Sequence, residues 1–399
     1  MRGIGHDDVM TSFKAGSQAA TRWWIPGVVQ CPDPPGVLNL GPGYLDPRLL
    51  PIDLLRDAYS TALAEYGPAA LAYGENQGPM PLRAAIAHRI GSADGVPCHA
   101  EQIVITAGTS SMLDLLARTA PAGAVVCVEE LSYDLGVDIF QARGLRVRRI
   151  PMDSHGMDPD ALATAIQRAD TVAYVYLVPT FHNPTGRVVP ADRRLALVEV
   201  AQRYGVTVIE DDAYADVCYE PDSVPRSVGG SAGYDGVVRL GSFSKSLAPG
   251  LRLGWLVADP ATAAGLAGSA LFVSGGGVNH LAAMAMAGLL ESGRYERHVG
   301  RLREGLRERR DALVDTLRAE LDFDVPRPAG GFFVWVRPPE GFAEAELVAA
   351  ADRVAVPVAA GSRFGPTGEP AVRLAFSFHP PDRLADGATR LAAAWRRDG

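Results

Sequence analysis

Between residues 103 and 257, short runs of β-branched and other aliphatic residues come round seven times. They are Ile103–Thr106, Val125–Val128, Val147–Ile150, Val172–Val178, Val206–Ile209, Val237–Leu240 and Leu253–Val257. Segments of helical period lie between several of them, at about 109–119, 132–142, 158–167 and 190–204. Strands that alternate with helices pair mostly in parallel and are covered by helix on both faces. The expected fold is therefore α/β, with a large domain built on a mostly parallel seven-stranded sheet. In such sheets ligands sit at the carboxyl ends of the strands. That place is where a motif has to fall if it is to do chemistry.

The pattern changes beyond residue 279. Two long helical stretches, 279–290 and 294–321, lead into Gly330-Gly331-Phe332-Phe333-Val334-Trp335-Val336, a strand. A helix near 343–353, a strand at 372–377 and a last helix near 382–396 complete a smaller α+β unit. The expected division is an N-terminal arm at 1–48, belonging in part to the small domain, a large domain at 49–290 and a small domain at 291–399. The arm carries Trp23, Trp24 and several prolines with little periodicity, as a segment that packs on something else would.

Composition excludes several classes. A net charge of −8 over 399 residues argues against a nucleic-acid binder. No apolar run is long enough to span a bilayer, and residues 1–8 lack a signal peptide's apolar core, so a cytoplasmic location is expected. Four scattered cysteines without a CxxC pair and eight single histidines without HxxxH spacing predict no metal. The chain holds two lysines, Lys14 and Lys245, against 36 arginines. Where positive charge alone was needed, arginine supplies it. A guanidinium stays protonated, whereas an ε-amine can lose its proton and attack a carbonyl.

Lys245 lies in Ser242-Phe243-Ser244-Lys245-Ser246, with Arg252 seven residues on. Arginine and hydroxyls together bind phosphate; a surface lysine in a polar loop is the plain alternative. Ile105-Thr106-Ala107-Gly108-Thr109-Ser110 runs from a strand through glycine into a helix, which makes either an anion site or an ordinary N-cap by Thr109 or Ser110. Asn183-Pro184-Thr185-Gly186 follows a strand and reads as a tight turn, or as a rigid mount for the Asn183 amide. The strand ending in Glu210-Asp211-Asp212 needs a cation to partner a buried carboxylate. Alternation alone does not fix which of the three points inward. A pyridinium nitrogen or a metal would serve, and matching metal-ligand spacing is lacking. Arg373, inside the apolar strand Val372–Phe376, is either half of a buried ion pair or a clamp on a substrate carboxylate.

Taken in order, Asn-Pro-Thr-Gly, Asp-x-x-Tyr, Ser-x-Ser-Lys with arginine seven later, and a late strand arginine, this set resembles the fold-type-I aminotransferases of class I/II. Those enzymes use pyridoxal 5′-phosphate and share the aspartate-aminotransferase-like fold. The resemblance runs from Gly41 to the last helix. It implies that Lys245 bonds the cofactor as a Schiff base and then shuttles a proton. Asp211 would pair with the pyridinium, and Asn183 and Tyr214 would bond the ring oxygen. Gly108, Thr109, Ser110, Ser242, Ser244 and Arg252 would hold the phosphate, and Tyr133 would stack on the ring. Tyr73 would reach a neighbouring subunit's phosphate in a homodimer. Gly41 and Arg373 would bind the α-carboxylate of an L-amino acid, which leaves as a 2-oxo acid.

The chain departs from the usual pattern at Leu131, where relatives often have Pro, at Ser110, where many have Gln, and at His182, where Gln is common. His182 is then either a local proton donor or a loop histidine held by structural bonds. Elimination, replacement, ring closure or annulation by the same cofactor is the alternative outcome, and a ligand-sensing regulator domain is a remote one. The glycines 275–277 and the aromatic arm with Tyr44 would shape the side-chain pocket, or serve as a loop and a packed segment.

Overall fold

The computed structural model describes residues 29–30, 32–275, 277–338, 341–366 and 368–396. Lys14, Trp23, Trp24, Cys31 and Gly276 lie outside them. The seven expected runs form β1 (Ile103–Thr106), β2 (Val125–Glu129), β3 (Arg146–Ile150), β4 (Val172–Leu177), β5 (Thr207–Asp211), β6 (Val237–Ser242) and β7 (Gly254–Val257). They make one sheet in the order β1-β7-β6-β5-β4-β2-β3. Every pair from β6 to β3 is parallel, and β7 alone runs antiparallel to its neighbours β1 and β6. Its direction follows from its link to β6, which holds only a 3-10 turn at Pro249–Leu251 and no α-helix to carry the chain back.

The covering helices are α1 (Ile52–Tyr66), α2 (Met80–Asp94), α3 (Thr109–Thr119), α4 (Asp134–Ala142), α5 (Pro159–Gln167), α6 (Ala191–Arg203), the short α7 (Val228–Ser231), α8 (Pro260–Ala267), α9 (Ala270–Val273) and α10 (His280–Glu291). Separate apolar cores fill the two sides of the sheet. One side packs α3 and α4 against Val126, Val128, Tyr174, Tyr176, Ile209 and Leu240. On the other, α5 and α6 lie against Val125, Cys127, Val175, Leu177, Val208 and Val237. Alternate residues of each strand thus serve opposite faces, as the pleat requires. Among the described residues, no helix is long and apolar enough to cross a membrane.

Beyond residue 291 the α-helices and strands are α11 (Arg294–Glu320), β8 (Phe333–Val336), α12 (Glu344–Arg353), β9 (Ala359–Ala360), β10 (Val372–Ala375) and α13 (Pro381–Trp395). Strands β8, β10 and β9 form an antiparallel sheet in that order, with α11 and α13 against it. Residues 37–46 belong to this core. Leu38, Leu40 and Leu45 are buried in it, and the backbone N–H groups of Leu38 and Leu40 donate to the carbonyls of Ala355 and Pro357. Leu38 is fully buried, its methyl groups facing Gly387 of α13. Leu38→Ala is expected to lower unfolding stability by about 2–4 kcal/mol, because the rigid sheet and helix around it collapse little into the gap. Chemical denaturation measures this, and a loss under about 1 kcal/mol would show that the arm is not part of the core.

Candidate functional site

Six co-directed strands end at one rim of the large sheet, and the chemical residues follow those ends. β1 ends at Thr106, and Gly108 serves as N-cap of α3 with φ of 93°. No side chain caps this helix, so the N-cap roles considered for Thr109 and Ser110 are not realised. Their hydroxyls sit on the first turn beside free N–H groups, where an anion is favoured. A Cβ on Gly108 would lie 2.7 Å from Arg252 Nη2. Glycine is therefore required twice, for its backbone angle and for the close approach of the guanidinium. Arg252 also has a left-handed backbone, φ 49°, and donates to the carbonyls of Ala107 and Pro249. Ser242 closes β6, and its hydroxyl accepts from the Ser244 N–H at 3.1 Å. Gly108, Thr109, Ser110, Ser242, Ser244 and Arg252 thus come from two strand ends and one loop to a single corner.

At the end of β5 the pleat separates the three carboxylates. Asp211 accepts from the Tyr176 hydroxyl at 3.0 Å through Oδ2, and its Oδ1 has no hydrogen-bond partner. Burial pushes this carboxyl up to about 6, against the opposing pull of the Tyr176 hydroxyl and the Lys245 ammonium. Glu210 and Asp212 turn to the other face. There Arg239 bonds Asp212 Oδ2 at 2.6 Å and Asp94 Oδ2 at 2.8 Å. Glu210 caps α7 by accepting from the Val228 and Gly229 N–H groups at 2.9 Å each.

The Lys245 amine is partly buried and donates to the Gly43 carbonyl at 3.2 Å. It lies 5.7 Å from the Tyr214 ring centroid and 5.6 Å from that of Phe332. Desolvation, with repulsion from Arg373 second, brings the amine down to about 8. Arg373 reaches across from β10. It donates to Asn183 Oδ1 at 2.7 Å and to the Gly41 carbonyl at 2.5 Å. Its guanidinium lies between the rings of Phe333 and Phe364, 4.0 and 4.5 Å from their centroids. Its Nε has no partner. Tyr133 opens α4 beside the same centre, its phenol pushed up to about 12 by burial and then by Asp211.

His182 is buried just before Asn183. Its Nδ1 is 2.8 Å from the Thr185 hydroxyl, and its Nε2 is 3.3 Å from Glu129 Oε2. It therefore holds the turn that mounts Asn183. Tyr73 stands apart from the rest of the set. It is 88% exposed and lies over Gly275, where a Cβ would meet its ring at 2.5 Å. Leu131 is buried in a small apolar cluster with Trp335 and Phe364. The sequence reading missed Tyr176, Gly43 and the aromatic sandwich around Arg373. The double phenylalanine after Gly330-Gly331 was the available signal for the last.

These residues fit pyridoxal phosphate on the structure's own terms. The site holds a buried carboxylate oxygen without a partner, a buried amine of lowered pKa, and an anion corner from which side-chain volume is excluded. A cationic ring nitrogen, an aldehyde and a phosphate are their complements. Two consequences of the buried Asp211 are measurable. Because its folded pKa is raised from 3.8 to about 6, it favours the cofactor-free fold at low pH and opposes it as pH rises through 6. Asp211→Asn is therefore expected to stabilise the cofactor-free protein by about 1–3 kcal/mol near pH 8, with the gain vanishing near pH 4, while weakening cofactor binding. Denaturation at the two pH values tests the first effect, and equilibrium cofactor titration tests the second.

Comparison with known proteins gives the same direction. The family model described as aminotransferase class I and II matches residues 36–391. The chain is 33% identical to 2-aminoadipate transaminase of Thermus thermophilus over 370 residues, 90% of each chain. It is 30% identical to aromatic-amino-acid aminotransferase 1 of Thermococcus litoralis over 366 residues, 89% of this chain and 87% of that one. Among solved structures, the kynurenine aminotransferase of Pyrococcus horikoshii, in complex with PMP, superposes with a TM-score of 0.83 at 29% identity, covering 90% of both chains.

Proposed function

Since this chain belongs to the class I and II aminotransferases and is a pyridoxal-phosphate-dependent enzyme of transamination, we propose roles for its individual residues. When bound, pyridoxal phosphate supplies the electron sink that lets an amino acid lose its Cα proton. Asp211, whose Oδ1 is unpartnered, would pair with the ring nitrogen and keep it protonated, and Tyr176 fixes the orientation of that carboxylate. Asn183 and Tyr214 would bond the ring hydroxyl, and Tyr133 would stack on the ring. Gly108, Thr109, Ser110, Ser242, Ser244 and Arg252 receive the phosphate. Lys245 is the base that takes the substrate's Cα proton. An amine brought down to about 8 has a free-base fraction that grows from about a tenth at pH 7 to about half at pH 8, which suits that task. Arg373 and Gly41 receive the α-carboxylate, and the flanking rings of Phe333 and Phe364 keep the fork in plane.

The reading includes a homodimer and a cytoplasmic location. Tyr73, with Leu71 and Val273, gives the 67–78 and 270–275 segments exposed apolar surface, as a self-association face would have. Residues 49–290 are the cofactor domain, with 1–48 in part and 291–399 making the small one, a division supported by the separate apolar cores. The substrate is an L-amino acid with a free α-carboxylate. The names of the relatives put 2-aminoadipate and the aromatic amino acids first among those to try.

The observation that carries this reading is the unpartnered Asp211 oxygen in the same site as the Lys245 amine. Mixing the purified holoenzyme with a panel of L-amino acids tests it through the visible absorbance band and keto-acid release. Lys245→Ala is expected to abolish both. Keto-acid release at the parent rate in that variant would overturn the assignment, as would stoichiometric ammonia in place of the amino form of the cofactor. Arg373→Ala is expected to lower kcat/KM roughly 10²–10³-fold with little rescue by Arg373→Lys, because a single ammonium does not reproduce the planar fork.

A further inference from the structure

Lys245 and Tyr214 stand on different loops, and one helix outside the site grips both. Ser246, next to Lys245, is fully buried, with its Oγ 2.7 Å from the Tyr295 hydroxyl oxygen. Tyr295, on the first turn of α11, lies 2.6 Å from Asp216 Oδ2, two residues beyond Tyr214. Burial alone would raise the Asp216 carboxyl, yet the Arg89 guanidinium and the Tyr295 hydroxyl together hold it below the ordinary range. Asp216 is thus an ionised acceptor, and Tyr295 must donate to it. The Tyr295 oxygen then accepts from the Ser246 hydroxyl, so the bonds run in one direction: Ser246 to Tyr295 to Asp216.

One turn along α11, His298 Nε2 lies 3.0 Å from the Ser246 carbonyl. A carbonyl only accepts, so this nitrogen carries the hydrogen. Arg303, further along the same helix, donates through Nε to the Asp216 carbonyl at 2.7 Å. The Tyr295 ring packs edge-on against Phe243, 5.6 Å away, between the phosphate-corner serines 242 and 244. Hence α11 holds Ser246 at both its hydroxyl and its carbonyl, and holds Asp216 at both its carboxylate and its carbonyl.

We propose that Tyr295 is a positioning residue, which through Ser246 and Asp216 fixes where the Lys245 amine sits relative to Tyr214 and Asp211. It touches neither substrate nor cofactor. The proposal rests on Lys245 being the cofactor lysine. The amine's proton affinity depends on the charges facing it, Arg373, Asp211 and Arg252, and the summed Coulomb interaction with them varies with the amine's position. Loss of the Tyr295 hydroxyl leaves the ring, its packing and the two carbonyl contacts of α11 in place but removes the side-chain link between Ser246 and Asp216.

The test is a pH titration of the absorbance band of the cofactor–Lys245 adduct in the holoenzyme, for Tyr295→Phe, Ser246→Ala and the double variant. Tyr295→Phe is expected to move the midpoint by about 0.3–0.5 pH unit, a two- to threefold change in the ionisation equilibrium, with kcat falling several-fold and KM for the amino donor within about twofold. Ser246→Ala should give part of the same shift, and the double variant should shift by less than the sum, because both substitutions remove the Ser246–Tyr295 bond and only Tyr295→Phe also removes the bond to Asp216. A midpoint unmoved in both single variants, with only thermal stability lowered, would overturn the proposal, as would fully additive shifts. Should Tyr295→Phe fail to fold, His298→Gln is read in the same titration, with a smaller shift expected and none overturning. A band that survives Lys245→Ala would instead sink the assignment of the lysine, which separates the two failures.

Discussion

A strand that ends in three adjacent carboxylates inside a protein is tolerable only if each meets its own compensation, and the pleat of β5 arranges that. Glu210 and Asp212 fall on one side. There Arg239, with Arg194 3.8 Å from Glu210, Asp94 and the amide end of α7, makes a closed set of charges. Asp211 falls on the other side, with one hydroxyl donor and one oxygen left over. The unfavourable burial of that oxygen is the condition for tight pairing with a cation brought in from solution. The rest of the site follows from this split: the carboxylate can stay charged in a dry place because its neighbours in sequence are neutralised elsewhere.

The small domain depends on a second long-range contact. Arg373 is carried by β10, yet its bonds go to Asn183 of the large sheet's rim and to Gly41 of the arm. Those partners are 190 and 332 residues away in the chain. Holding a guanidinium between Phe333 and Phe364 lets it meet both partners without the freedom that a solvated arginine would lose on binding. Arg373 is therefore held where the β10 sheet, the rim of the large sheet and residues 37–46 meet.

Much of this was legible in the residues. The seven runs gave the sheet, and the order of Asn183, Asp211, Tyr214, Lys245 and Arg373 gave the family, because those positions are fixed by local turns and strand ends. Less visible were features set by pairing across the chain. The antiparallel course of β7 is invisible in a run that reads like its neighbours. Tyr176 looks like core in an apolar strand until β4 is placed beside β5, where it meets Asp211. The inward member of the acidic triplet needed the sheet, since alternation gives two faces without saying which is which. Gly43 reads as a turn, and only the packing of the arm sets its carbonyl over Lys245.

The arginine bias has a chemical consequence of its own. Among the described residues, every ion pair that does not involve histidine uses arginine, from the Arg239 set to Arg309–Asp46 at the arm. Guanidinium groups are inert toward aldehydes under conditions in which amines condense. A protein that must live beside a reactive aldehyde in its own site thereby offers it, among the described residues, a single lysine amine, Lys245.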